Sequence, residues 1–81
     1  MKNLFENVQT IVDSGNSAIM DMDTKLKAMG HADAKYQSGA GVRYVSVTYK
    51  GKPYVVVSKN AVEIDAETKI IGPYAVGMML I

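Results

Sequence analysis

Apolar residues over positions 3–29 recur with the period of an α-helix. Leu4, Val8, Ile11, Gly15, Ala18, Met22, Leu26 and Met29 are separated by 4, 3, 4, 3, 4, 4 and 3 positions, and Phe5, Val12 and Ile19 widen the stripe. Glu6, Asn7, Gln9, Asp13, Asp21, Lys25 and Lys27 fall on the other side, which reads as a solvated face. Asp21 and Lys25 form a favourable i,i+4 pair on it. Gly30 follows the last periodic residue and suits a C-cap, with Lys25 and Lys27 at the end the helix dipole prefers for cations. The weak point is Asp13-Ser14-Gly15-Asn16-Ser17, because Gly costs about 1 kcal/mol relative to Ala and short polar side chains compete for the backbone. Those residues fit either a turn between two short antiparallel helices or a bend in one continuous helix. The stripe keeps its phase across them, which a turn would not require, so the pattern predicts one long helix over 3–29.

The period changes after position 41. Residues 42–58 are two runs rich in Val, Thr and Tyr around a Gly-containing centre, the pattern of a β-hairpin. With Tyr49-Lys50-Gly51 as the loop and Gly51 in the left-handed region, Val45, Val47, Pro53, Val55 and Val57 share one face. Tyr44, Ser46, Thr48, Lys52, Tyr54 and Ser58 share the other, with Val56 as its apolar exception. Residues 30–41 have three glycines and no periodicity, and read as a flexible loop.

Beyond the hairpin, Ser58-Lys59-Asn60 reads as a turn, and Val62 and Ile64 alternate with Glu63 and Asp65 as in a half-exposed strand. Asp65-Ala66-Glu67-Thr68 reads as a type I turn, Lys69-Ile70-Ile71 as the returning strand, and Gly72-Pro73 as its end. The stretch Tyr74-Ala75-Val76-Gly77-Met78-Met79-Leu80-Ile81 carries no charge. A strand apolar on both faces lies centrally in a sheet or against another subunit. The expected fold is therefore α+β: a long N-terminal helix on an antiparallel sheet of four or five strands formed by 42–81, in a single domain. The helical stripe would cover Val45, Val47, Val55 and Val57.

Composition adds one inference to this. An 81-residue chain buries roughly 60–65% of the surface its unfolded form exposes, which leaves it marginally stable alone. There is no cysteine for a disulfide and no Cys/His set for a structural metal. With 48% hydrophobic and only 21% charged residues, self-association is the expected route to further burial. Tyr74, Val76, Met78, Met79, Leu80 and Ile81 are the interface candidates, and the adjacent Met78 and Met79 must point to opposite faces.

A net charge of +1 argues against a strong polyanion binder, although the bases are unevenly placed. Residues 41–59 hold Arg43, Lys50, Lys52 and Lys59 without an acid, while 60–67 hold Glu63, Asp65 and Glu67 without a base. The N-terminus lacks the apolar core of a secretory signal and no apolar run reaches the ~18 residues of a span. Together with the absence of cysteine, this predicts a cytoplasmic address and no membrane partner.

Candidate chemistry is sparse. His31, two residues from Asp33, has no second His or Cys to share a metal or activate a nucleophile, and reads as an exposed loop histidine. Ser38-Gly39-Ala40-Gly41 precedes a strand rather than opening a helix, so it does not make a phosphate cradle. Asp21 and Asp23 diverge, and Glu63 with Asp65 lies beside a turn, so neither pair is placed to shift a pKa. The interesting group is Arg43, Tyr44, Lys50, Lys52 and Tyr54, since aromatic residues interleaved with bases on a sheet stack and neutralise nucleotides or single strands.

The Asp65-Ala66-Glu67-Thr68 turn after a hairpin resembles the closing hairpin of PepSY-type domains, although Ser58 to Val62 intervene here. That resemblance implies a secreted or membrane-anchored module, against which this N-terminus offers no export signal. The expected function is a small non-enzymatic, self-associating interaction protein, such as a phage- or mobile-element-type regulator or inhibitor, with no cofactor and an unidentified protein partner. The alternatives are a nucleotide or single-stranded nucleic-acid binder on the Tyr/Lys face, and a structural subunit of a larger assembly such as a virion.

Overall fold

A computed structural model describes residues 3–15, 18–39, 41–60 and 68–78. It is α+β, with helices α1 (Leu4–Asp13) and α2 (Ile19–Ala28) on a five-stranded antiparallel sheet. The strands are β1 (Lys35–Gly39), β2 (Val42–Tyr49), β3 (Lys52–Ser58), β4 (Lys69–Ile71) and β5 (Tyr74–Met78), in the spatial order β1-β2-β3-β5-β4.

The single long helix is corrected to two helices of 10 residues each. Asn3 caps α1 by accepting the Glu6 N–H at 2.8 Å. At the other end Gly15 takes φ +83°, and the Ser14 and Gly15 N–H groups close on the carbonyls of Thr10 and Val12. The local weakness of the Ser-Gly pair decides the geometry. The stripe holds its phase because both helices lay the same period on the same sheet. Gly30 caps α2 as expected: at φ +104° its N–H reaches Lys27 O, and the His31 N–H folds back to Leu26 O at 3.0 Å.

Two further expectations change. Part of the 30–41 loop is the edge strand β1, whose sequence Lys-Tyr-Gln-Ser-Gly carries no alternation to reveal it. Asp23 on α2 accepts the Tyr36 N–H of this strand at 3.3 Å, which occupies an edge donor that another chain could otherwise pair with. The hairpin loop is Lys50-Gly51 rather than Tyr49-Lys50-Gly51, since Tyr49 pairs with Lys52. Both loop residues have positive φ, +52° and +77°, as a type I′ turn demands. Lys50 is a poor residue for that conformation. Lys50→Asn is expected to stabilise the fold by about 0.5–1 kcal/mol, a rise in Tm of about 3–6 °C in a thermal melt.

Moving the loop by one residue turns β3 over relative to β2. Tyr36, Val45, Val56, Val76 and Lys69 now form one row across the sheet on the helix side. Val55 and Val57, expected under the helices, lie on the opposite face. The core unites Leu4, Val8, Ile11, Met22 and Leu26 of the helices with Val45, Val47, Val56, Ile71, Tyr74 and Val76 of the sheet. Each such burial contributes roughly 1.5–3 kcal/mol. On the far face Val57 and Ala75 are also shut off from water, and Thr68 packs against Gly77 so closely that a Cβ there would meet its Oγ1 at 3.0 Å. Gly72-Pro73 ends β4 as expected and forms the β4–β5 turn, with Ile71 paired to Tyr74. The expected strand at Val62–Asp65 and most of the turn at 65–68 lie outside the described residues.

Candidate functional site

The pleat of β2 and β3 sends Val47, Tyr49, Lys52 and Tyr54 to the helix side at the tip of the central hairpin. Phe5, on the first turn of α1, comes down beside them. Its ring stands edge-to-face on Tyr54 (centroids 5.8 Å, planes 82°) and on Tyr49 (6.4 Å, 82°), while Tyr49 and Tyr54 meet at 5.9 Å. Such geometry matches the positive edge of one ring to the negative face of the next. All three rings are half-buried.

Cations surround the cluster. Lys69 Nζ sits 4.8 Å from the Phe5 centroid, and Lys50 Nζ sits 5.4 Å from the Tyr49 centroid. Lys52 projects from the same end of the hairpin and is exposed. No ion pair joins these lysines to a carboxylate among the described residues.

Behind the rings lies a polar pair. Asn7 and His31 are both almost fully buried, at 4% and 5% exposure, and Asn7 Nδ2 lies 2.8 Å from His31 Nε2. An Asn7 amide N–H donates to His31 Nε2 in the tautomer that carries the ring proton on Nδ1. The bond ties α1 to the residue that follows the α2 cap. Two expectations are thereby corrected: Asn7 does not lie on the solvated face, and His31 is not an exposed loop histidine. His31 is buried because its backbone folds back onto Leu26, turning the ring inward to meet Tyr49 at 6.2 Å. Asn7 had a signal in its spacing, for Leu4, Asn7, Val8 and Ile11 are one helical stripe.

Gly30, His31, Ala32, Asp33, Thr48, Tyr49 and Lys50 line an open cleft of about 350 Å³ next to this pair. Asp33 accepts the Thr48 N–H at 2.9 Å. The Thr48 side chain is the chief cause that holds the Asp33 carboxyl below its ordinary 3.8; burial opposes it as the next largest cause, and the Thr48 N–H adds a smaller lowering. A depressed carboxyl stabilises the fold above its unfolded pKa, and that stability is lost as pH falls through the lower folded value. The stability difference between the parent and Asp33→Asn should therefore be present at pH 7 and vanish in acid below the ordinary carboxylate range. Urea titrations at several pH values would read it, and a difference that persists at the acid end would contradict the assignment.

No family model matches the chain, and no curated protein or solved structure does. The site is therefore read from its own geometry. Of the five residues expected to bind a ligand, Lys50, Lys52 and Tyr54 meet at the hairpin tip. Tyr44 lies on the opposite face, its hydroxyl donating to Gln37 Oε1 at 2.8 Å. Arg43 projects at the far end of β2, opposite Ser38. Phe5, Tyr49 and Lys69 take their place, from three separate segments that no local pattern joins. Among the expected interface residues, Tyr74 and Val76 are buried in the chain's own core and present no surface to another copy. Met78 is 38% exposed beside Tyr54, and Met79, Leu80 and Ile81 lie outside the described residues. No group of three metal-ligating side chains occurs among the described residues, and no helix among them is long and apolar enough to cross a membrane.

Proposed function

We propose that this chain is a small non-enzymatic interaction protein that acts by binding another macromolecule, with the hairpin tip as its contact surface. The supporting observation is the half-buried Phe5–Tyr49–Tyr54 cluster under Lys50 and Lys69, with the exposed Lys52 on the same face. Rigid aromatic residues with adjoining cations carry much of the energy of macromolecular contacts at little entropic cost. Met78, partly exposed at the same end, adds a side chain that repacks readily against a partner. A photo-crosslinking amino acid at position 52, in the chain expressed in its native cells, should give adducts that are absent when the probe is placed at Lys27 on α2. Equal labelling from both positions would sink the reading.

Self-association is a second reading, favoured by a different face. The side of the sheet away from the helices carries Lys35 as its one described charge, and Ile70 there is 46% exposed. Val57 and Ala75 of that face are shut off from water within the chain, so Ile70 at its edge is the apolar side chain a second copy would cover. Sedimentation at increasing concentration should show a species heavier than 8.8 kDa that Ile70→Asp removes. A monomer throughout would rule out this reading.

A further inference from the structure

We propose that the partner at the hairpin tip is single-stranded nucleic acid, with phosphates on Lys50, Lys52 and Lys69 and a base laid against the Phe5–Tyr49–Tyr54 rings. The inference deepens the reading of the tip as a contact surface and rests on it. Two of the three lysines lie on ring faces, at 4.8 and 5.4 Å from the centroids. A ring quadrupole is a weak partner for an ammonium ion at an exposed site, and a phosphate is a stronger one. A phosphate that draws Lys69 or Lys50 away leaves the face of Phe5 or Tyr49 open, and an unpaired base has the flat π-surface to fill it. One movement of a lysine thus serves both halves of a nucleotide.

The alternatives use less of what is present. An acidic peptide would engage the lysines and leave the ring faces uncovered. A duplex keeps its bases stacked internally and offers only phosphates. Asp33, the only carboxylate among the described residues that line the adjoining cleft, is already engaged by Thr48. The footprint is small, so binding is weak and strongly dependent on salt. Roughly three phosphates at about 0.7 each give a slope of about −2 in log K against log salt.

The test is fluorescence anisotropy of a labelled mixed-sequence 12-nucleotide single strand, titrated with the full chain between 25 and 200 mM salt. Binding with a slope of about −2 is expected. Lys50→Asn, which suits the turn, and Lys69→Gln should each weaken binding about five- to tenfold at 50 mM salt and lower the slope by about 0.7. Lys27→Gln should change nothing, and Tyr54→Leu should weaken binding while leaving the slope intact, which separates stacking from charge. Binding indifferent to Lys50→Asn and Lys69→Gln would overturn the site. Equal affinity for the duplex of the same sequence would overturn the single-strand assignment. If a polyglutamate peptide bound with this lysine dependence and the oligonucleotide did not, the nucleic acid would be refuted and the contact surface upheld. Failure of both ligands would refute the nucleic acid, and the crosslinking experiment at position 52 would then decide the contact surface by itself.

Discussion

Val56→Asp will leave the chain unfolded at 25 °C, whereas Val55→Asp, one residue earlier on the same strand, will leave it folded. Val56 is fully buried between Val45 of β2 and Val76 of β5, in the row the helices cover. The substitution forfeits the roughly 1.5–3 kcal/mol of the valine and adds several kcal/mol for a carboxylate without a partner. A domain of this size has about 5–10 kcal/mol to lose. Val55 lies on the other face between Ser46 and Gly77 and keeps contact with solvent, so its replacement should cost about 1–2 kcal/mol. Circular dichroism in the far ultraviolet separates the two outcomes. A folded Val56→Asp protein beside an unfolded Val55→Asp protein would mean that the hairpin turns through three residues, with Val55 and Val57 under the helices.

That pair of variants marks the boundary between what the residue pattern reveals and what it conceals. The strands Val42–Tyr49 and Lys52–Ser58, the α+β class and the cap at Gly30 are all legible, because alternation, β-branching and a terminal glycine act locally. The register is less legible. Tyr49-Lys50-Gly51 and Lys50-Gly51 differ by one residue, and only the second requires a lysine at positive φ, which sequence preference disfavours. Choosing the more comfortable turn reverses every side chain of β3. The break at Gly15 is visible in Ser14-Gly15, but the stripe points the other way, and its phase carries no information about continuity when two helices share one sheet.

The site was harder still. Tyr44 and Tyr54 looked like partners, yet pairing of Tyr44 with Val57 and of Val47 with Tyr54 sends them to opposite faces. The rings that do meet come from α1, β2 and β3, and the lysine over Phe5 comes from β4. Such a cluster exists only after the strand order β1-β2-β3-β5-β4 is set, and no spacing along the chain encodes that order. His31 and Asn7 are 24 positions apart and meet because the α2 cap folds the chain back. In both cases tertiary geometry, more than local propensity, assembles the chemistry.

Gly72→Ala will be strongly destabilising for so small a substitution, and the cause can be isolated by a second one. Gly72 opens the β4–β5 turn at φ +60°, and the following Pro73, fixed near φ −65°, completes the type II′ pattern that places glycine first. A Cβ at this position would lie 2.7 Å from Val12 Cγ1, and a β-branched valine on a helix has no other comfortable rotamer to adopt. Backbone strain of about 1–3 kcal/mol and overpacking of about 1–3 kcal/mol together predict a loss of roughly 2–6 kcal/mol, or Tm lower by about 10–35 °C. Val12→Ala removes the clashing methyl groups without altering the turn. In the parent it should cost stability, as a half-buried valine does, but in the Gly72→Ala background it should restore some. A coupling of about 1–2 kcal/mol between the two sites is expected from thermal melts of the four proteins. Simple additivity would mean that strain in the turn acts alone and that α1 does not press on it. The same contact seats α1 over β4, and α1 carries Phe5 to the lysine at position 69. Gly72→Ala should accordingly shift the Phe5 ring resonances, and Val12→Ala should return them toward their original positions. The stability of a turn far from the hairpin tip would then set the geometry of the aromatic cluster.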